Sequence, residues 1–150
     1  MGQSLVKNYV HIVFSTKHRE PTITSTHEEE LHLYITGICK NLDSHAVIVG
    51  GYNDHIHILC SLSRKLALMT LVQKIKTNSS KWMNLKPEII SKFRWQDGYG
   101  GFSVNPNEID VVERYIQNQH KHHGKKGFKE EYLSFLKKYN LEYDEKYMWD

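Results

Sequence analysis

Cysteine is scarce in this chain. Cys39 and Cys60 are the only two in 150 residues, at no metal-binding spacing and too few for a disulfide scaffold. Cys60 falls on the strand face shared by Ile56 and Ile58, so a buried free thiol is expected. Long apolar runs are missing as well: nothing approaches the ~20 residues needed to cross a bilayer, and no secretory signal pattern is visible. Val6 stands where N-myristoylation requires a hydroxyl residue. No membrane partner is therefore expected, and the cytoplasm is the expected location. Charge of one sign is in only slight excess. A net charge of +3 and a pI near 8.7 permit a nucleic-acid partner without demanding one. Internal repeats, low-complexity blocks and linker-like shifts in composition are absent, so residues 1–150 read as one domain with a real hydrophobic core.

What is present is a chain of well-punctuated elements. Tyr9 to Ser15 is rich in β-branched and aromatic residues and predicts a first strand. Ser25 with Glu28, or Thr26 with Glu29, forms a capping box for a helix carrying Leu31, Tyr34, Ile35, Ile38 and Leu42 on one face. His45 to Gly50 predicts a second strand, closed by turn residues Gly50-Gly51 and Asn53-Asp54, and His55 to Leu62 a third. A second helix buries Leu68, Leu71, Val72, Ile75 and Trp82. Phe93–Gln96 and Tyr99–Val104 predict two short strands around the hairpin dipeptide Asp97-Gly98. Asn105 as cap and Pro106 at the first helical position open a helix that runs to about His123 and stops at Gly124. A last helix near Lys129 to Tyr139 packs through Tyr132, Leu133, Phe135 and Leu136, followed by a loosely held polar and aromatic tail.

The order β-α-β-β-α-β is that of a ferredoxin-like, split βαβ domain of the α+β class. One antiparallel sheet would be covered by the first two helices on one face and left free for function on the other. Strands one and three would be central, with a C-terminal helix carrying Tyr115.

Two patterns carry chemistry. His55 and His57 alternate on a strand, so their side chains share a face with roots about 7 Å apart, close enough to hold one metal ion, while Ile56 and Ile58 enter the core. Tyr115 and Gln119 are four apart on a predicted helix, beside the apolar stripe of Ile109, Val112 and Ile116, with Asn118 and His122 on the same polar side. A metal-holding strand with a helix offering a phenol and a carboxamide suits phosphodiester cleavage through a phosphotyrosine. Imidazole prefers zinc and other transition metals, so the histidines alone do not specify Mg2+. Basic residues cluster at Lys74, Lys76 and Lys81, and at Lys121, Lys125, Lys126 and Lys129 with His120, His122 and His123 interleaved. Such clusters suit a phosphate-facing surface or a solvated face.

Four stretches together resemble the single-tyrosine transposases of the His-hydrophobic-His (HUH) superfamily, encoded by small insertion sequences that move as single-stranded DNA. They are His11-Ile12-Val13-Phe14-Ser15-Thr16-Lys17, Asp54-His55-Ile56-His57-Ile58-Leu59, Trp95 to Val104, and Tyr115-Ile116-Gln117-Asn118-Gln119, in family order and at family spacing. The resemblance implies a divalent cation, Mg2+ or Mn2+, held by His55, His57 and Gln119. It implies Tyr115 as the nucleophile that leaves a 5′-phosphotyrosine and a free 3′-OH. It also implies recognition of single-stranded DNA hairpins at transposon ends, over Lys74, Lys76 and Lys81. A homodimer is expected, in which glycine-rich flanks at Gly98–Gly101 and Gly124–Gly127 let the Tyr115 helix reach a neighbouring subunit or swing back onto its own, so that Tyr115 can serve the partner's histidines. Replication initiators and relaxases of the same superfamily are usually much larger chains. An inactive hairpin-binding copy is argued against by the intact His55, His57, Tyr115 and Gln119.

Overall fold

The computed structural model describes residues 2–89, 91–123 and 126–150. A four-stranded antiparallel sheet has the order β2-β3-β1-β4, built from β1 (Tyr9–Ser15), β2 (Ala46–Tyr52), β3 (His55–Ser61) and β4 (Gly100–Ser103). Helices α1 (Glu28–Asn41) and α2 (Leu68–Asn84) connect the strands as expected for a split βαβ fold, with β1 and β3 in the centre. Period-two alternation sorts the side chains. Val10, Ile12, Phe14, Ile56, Ile58 and Cys60 join Leu31, Ile35, Leu71, Val72 and Ile75 in one core, where each fully buried large aliphatic or aromatic side chain contributes about 1.5–3 kcal/mol. The opposite face presents His11, Val13, His55, His57 and Leu59.

That second face is not free. Three further helices cover it: α3 (Ile109–Gln117), α4 (Gln119–His122) and α5 (Phe128–Lys138). Ile116 of α3 packs on Leu59 and Val104, while Phe128, Tyr132 and Leu136 of α5 pack on Val13 and Phe102. The physical reason is legible in β1 and β3, which are buried almost end to end instead of at alternate residues, as strands covered on both faces must be.

Other expectations are corrected. No capping box opens α1: its N-cap is His27, without a side-chain cap, and the carbonyl of Thr24 accepts from the N–H groups of His27 and Glu28. Phe93–Gln96 forms no strand and no hairpin with β4. Its backbone is satisfied elsewhere, by Asn84 at both polar groups of Phe93 (2.7 and 3.0 Å), by the Thr16–Trp95 bridge, and by Gln96 N–H donating to Ser15 at 2.9 Å. The tyrosine helix is interrupted at Asn118, whose φ of −95° and ψ of 18° separate α3 from α4. Its expected stop at Gly124 lies outside the described residues. The tail is tied down: Gly98 N–H donates to the Asp150 carbonyl at 2.9 Å, and the Trp149 ring takes the cations of Arg19 and Lys129 at 5.3 and 5.2 Å from its centre.

Glycines expected in turns serve packing instead. Gly50 and Gly51 lie inside β2, and Gly51 has φ of 151°, a conformation that a side chain would strain. A methyl group on Gly50 would come within 2.7 Å of Ile116 Cγ2, the residue after Tyr115. Likewise, one on Gly100 would meet the Tyr132 ring at 2.7 Å, so this glycine marks close α5 packing. Gly50→Ala should therefore overpack the sheet–α3 contact and lower stability by about 1–3 kcal/mol. Urea unfolding with an unchanged slope would register it, and an unaltered midpoint would show that α3 is free to shift.

Candidate active site

β3 delivers the two histidines. Its register sets His57 between Val13 of β1 and Gly50 of β2, and the missing side chain of Gly50 lets Ile116 of α3 pack close on this flank. Both imidazoles are fully buried. Each is anchored at Nδ1, where His55 donates to Asp54 Oδ1 at 2.7 Å and His57 lies 2.8 Å from His11 Nε2. Both Nε2 atoms consequently point to one place. His55 Nε2 is 2.9 Å from Gln119 Oε1, and His57 Nε2 is 2.9 Å from Glu131 Oε1.

Glu131, on α5, is the residue that sequence reasoning missed. It is buried, and its carboxylate takes four contacts: His57 at Oε1, and at Oε2 the Tyr115 hydroxyl, Gln119 Nε2 at 3.1 Å and His123 Nε2 at 3.3 Å. Burial alone would raise its pKa. Hydrogen bonds from His123 and His57, with the charge interactions of His57 and His55, instead hold it well below the usual carboxylate range. Burial, then the Glu131 charge and hydrogen bond, pushes the Tyr115 phenol well above its ordinary value. Burial likewise brings His57 down to about 4 against the raising effect of Glu131, and takes His11 well below the ordinary imidazole value. Phe128 stacks on His55 with ring centres 4.8 Å apart, and Phe135 meets His11 and Tyr115 edge-on.

The donor chemistry fits a divalent cation. One ligand atom each from His55, His57 and Glu131 lies within 4.8 Å of the others. With the His55 proton held at Asp54, its Nε2 lone pair faces the oxygens of Gln119 and Glu131, at 2.9 and 3.6 Å. Acceptors cannot converge in that way unless a proton or a cation stands between them.

The structure thus brings together His55, His57, Tyr115 and Gln119 within one chain. Tyr115 and Gln119 do not share one continuous helix, because Asn118 separates them. Legible signals for the missed residues existed. His11 shares the period-two face with the metal-site strand, and Asp54 immediately precedes His55. In α5, Phe128, Glu131, Tyr132, Phe135 and Leu136 run i, i+3, i+4, i+7, i+8, and a carboxylate in such a stripe is anomalous.

The basic residues divide. Lys74 and Lys81 are exposed on α2, on the sheet face opposite the histidines. Lys76 is inward: Nζ donates to the carbonyls of Gln96, Asp97 and Gly98 at 2.8, 3.0 and 2.7 Å, and burial brings its pKa down to about 8. Between α2 and the segment it grips runs an open groove of about 600 Å³, lined by Gln73, Thr77, Ser80, Lys92 and Arg94 among others. In the second basic cluster, His123 turns into the site, His120 meets Glu28 at 2.6 Å, Lys126 donates to Ser134, and Lys125 lies outside the described residues. Among the described residues, no helix is long and apolar enough to cross a membrane.

Comparison with known proteins gives a consistent family. The family model described as IS200-like transposase matches residues 4–119. The chain is 22% identical, over 115 residues, to the ISDra2 transposase TnpA of Deinococcus radiodurans, covering 73% of this chain and 82% of that protein. A crystal structure of a candidate transposase from Deinococcus radiodurans superposes with a TM-score of 0.61 at 20% identity, over 79% of this chain and 96% of that one. A REP-associated tyrosine transposase bound to a REP hairpin gives a TM-score of 0.61 at 15% identity, over 83% and 73% of the two chains.

Proposed function

This chain belongs to the family of IS200-like transposases, and from that premise we propose that it cuts and rejoins single-stranded DNA at transposon ends through a 5′-phosphotyrosine on Tyr115. The observation that carries the reading is the contact of the Tyr115 hydroxyl with Glu131, which is itself bonded to His57. It joins a nucleophile to a cation-binding group. In the cleavage step the Tyr115 oxygen bonds to phosphorus while the bond from phosphorus to the DNA 3′ oxygen breaks. The electron pair leaves with that oxygen, which becomes the free 3′-OH. Because the phosphotyrosine conserves a phosphodiester, another 3′-OH can reverse the step and join a new strand.

His55, His57 and Gln119 would hold Mg2+ or Mn2+, which when bound would draw charge from the non-bridging phosphate oxygens. His11 and Asp54 orient the two imidazoles from behind, and Phe128 and Phe135 keep water from the buried atoms. Tyr115 is only partly buried, so the group opens to solvent at the nucleophile.

DNA hairpins would be recognised across α2 through Lys74 and Lys81, beside the groove containing Lys92 and Arg94. The relative bound to a REP hairpin supports hairpin recognition as such, and the exposed lysines beside the groove are what point to α2. Lys76, committed to three carbonyls, is a structural residue on this reading. A homodimer is carried by the family resemblance, and the contact of Tyr115 with Glu131 of its own chain supports each subunit building its own site.

Labelled single-stranded DNA from the flanks of the encoding element, incubated with Mg2+, should give a covalent protein–DNA adduct on the 5′ side of the cut, absent with duplex DNA. Tyr115→Phe should abolish the adduct; its normal formation would remove Tyr115 as nucleophile. EDTA, His55→Ala, His57→Ala and Gln119→Ala should each stop or sharply slow cleavage while leaving hairpin binding intact. Cleavage by the double histidine variant in EDTA would remove the cation from the mechanism.

Lys74→Ala and Lys81→Ala should weaken hairpin binding and lower its salt slope by about 1 per lysine, with stability unchanged to about 0.5 kcal/mol. Lys76→Met should instead cost about 1–3 kcal/mol of stability, since three carbonyls lose their donor. A reversal of this pattern in filter binding and urea unfolding would reassign the lysines.

Mixing Tyr115→Phe subunits with His55→Ala/His57→Ala subunits should give no recovery of cleavage, even in proven heterodimers. Recovery would show that the tyrosine acts across subunits.

A further inference from the structure

We propose that Glu131 is a catalytic residue of this chain, ligating the divalent cation through Oε1 and serving the nucleophile Tyr115 through Oε2. The inference rests on the cation reading above and extends it. Neither sequence motif supplies this residue, and the family match ends at residue 119, before α5 begins.

The argument begins at His57 Nε2. That atom contacts Glu131 Oε1 at 2.9 Å, and it is also the atom with which His57 would hold a cation, because its Nδ1 is taken by His11. Once Nε2 gives its lone pair to a cation it carries no proton, and Oε1 loses its donor. A carboxylate oxygen 2.9 Å from a ligating nitrogen, sealed from water, then has one partner left, the cation itself. His55 Nε2, 3.6 Å from the same oxygen, places the other imidazole on the same point. Two imidazole nitrogens, a carboxylate oxygen and the Gln119 amide oxygen make a mixed nitrogen and oxygen set suited to a first-row divalent ion such as Mn2+.

The second oxygen faces the chemistry. Oε2 accepts from the Tyr115 hydroxyl, and Gln119 Nε2 and His123 Nε2 hold it there at 3.1 and 3.3 Å. As the Tyr115 oxygen bonds to phosphorus, the phenolic proton passes along this existing hydrogen bond to Oε2. The departing 3′ oxygen takes the electron pair of the broken bond and a proton from water, and the hydroxide so formed takes the proton from Oε2, so atoms and charge balance and Glu131 is left ionised. Rejoining runs the same steps backward. A carboxylate present only to neutralise the histidines would have no need to reach the nucleophile, and one present only for the tyrosine would have no need of His57.

The test uses the full chain without DNA first. Mn2+ binding is measured by titration calorimetry and by loss of the free Mn2+ EPR signal, for the wild type, Glu131→Gln, Glu131→Asp and the His55→Ala/His57→Ala variant. Circular dichroism checks that each is folded. Glu131→Gln, which keeps shape and loses charge, should bind Mn2+ at least about tenfold more weakly. Adduct formation is then timed with Mn2+ raised until each variant is saturated. There Glu131→Gln should remain about a hundredfold or more slower, because a positioned proton acceptor is still missing.

Wild-type Mn2+ affinity in Glu131→Gln would overturn the ligand role. A full rate at saturating Mn2+ would overturn the role toward Tyr115. Failure of the underlying cation reading looks different: the wild type would take up no Mn2+, or the double histidine variant would bind it equally well. Should Glu131→Gln not fold, Glu131→Asp carries the comparison, since its carboxylate is drawn back by one methylene from both partners. Equality with the wild type in affinity and rate would then overturn the proposal.

Discussion

A carboxylate sealed from water must be surrounded by donors, and the arrangement around Glu131 follows from that constraint. Its contacts come from separate parts of the chain: His57 on β3, Tyr115 on α3, Gln119 on α4, and His123 just beyond it. Each hydrogen bond to a charged group is worth about 1.5–3 kcal/mol, and leaving a buried charge without its partner costs about 3–5 kcal/mol. Those magnitudes exceed the propensity of any single residue for helix. Across the break at Asn118, Gln119 and His123 still face the carboxylate that Tyr115 reaches from the preceding segment, and the i, i+4, i+8 spacing of these three residues is what keeps them on one side.

Much of the fold was legible because it depends on short-range periodicity. β1 runs over Tyr9–Ser15 as its β-branched residues predict, and the alternation in His55–Ser61 places the two histidines opposite Ile56 and Ile58. Asn105 caps the turn before α3, accepting from Asn107 N–H at 2.9 Å. What failed was partner choice. Phe93–Gln96 carries strand-like residues, yet side chains of α2 and the end of β1 satisfy its backbone, and no local pattern reveals an asparagine in α2 clasping Phe93. Gly50-Gly51 reads as a turn only when β2 is considered apart from Ile116, which needs the missing side chain. Glu131 was hidden differently, in a helix read for its apolar stripe and not for the charge inside it.

The layer that covers the histidines changes the meaning of the HxH pattern. On an open sheet face, His55 and His57 would be hydrated and their orientation loosely held. Beneath Phe128, Phe135 and Glu131 they are fixed at both nitrogens, with Asp54 and His11 behind and Gln119 and Glu131 in front. Outer hydrogen bonds of this kind set which imidazole nitrogen carries the lone pair and where it points. Two histidines become a candidate cation site through their neighbours, and those neighbours come from β1, the β2–β3 turn, α4 and α5.

The sheet also separates the two tasks assigned to the chain. Lys74, Lys81 and the groove lie with α2 on one side of the central strands, whereas Tyr115 and the buried histidines lie under α3 to α5 on the other. DNA held at α2 cannot present the bond beside its own hairpin stem to Tyr115 through the sheet. On the proposed reading the strand would pass round an edge, and the bond to be cut would belong to unpaired DNA leading away from the hairpin. Duplex DNA is too stiff for such a path, while a single strand follows it readily. On the proposed reading a preference for single strands would arise from where the fold puts its binding and cutting faces, before any base is read.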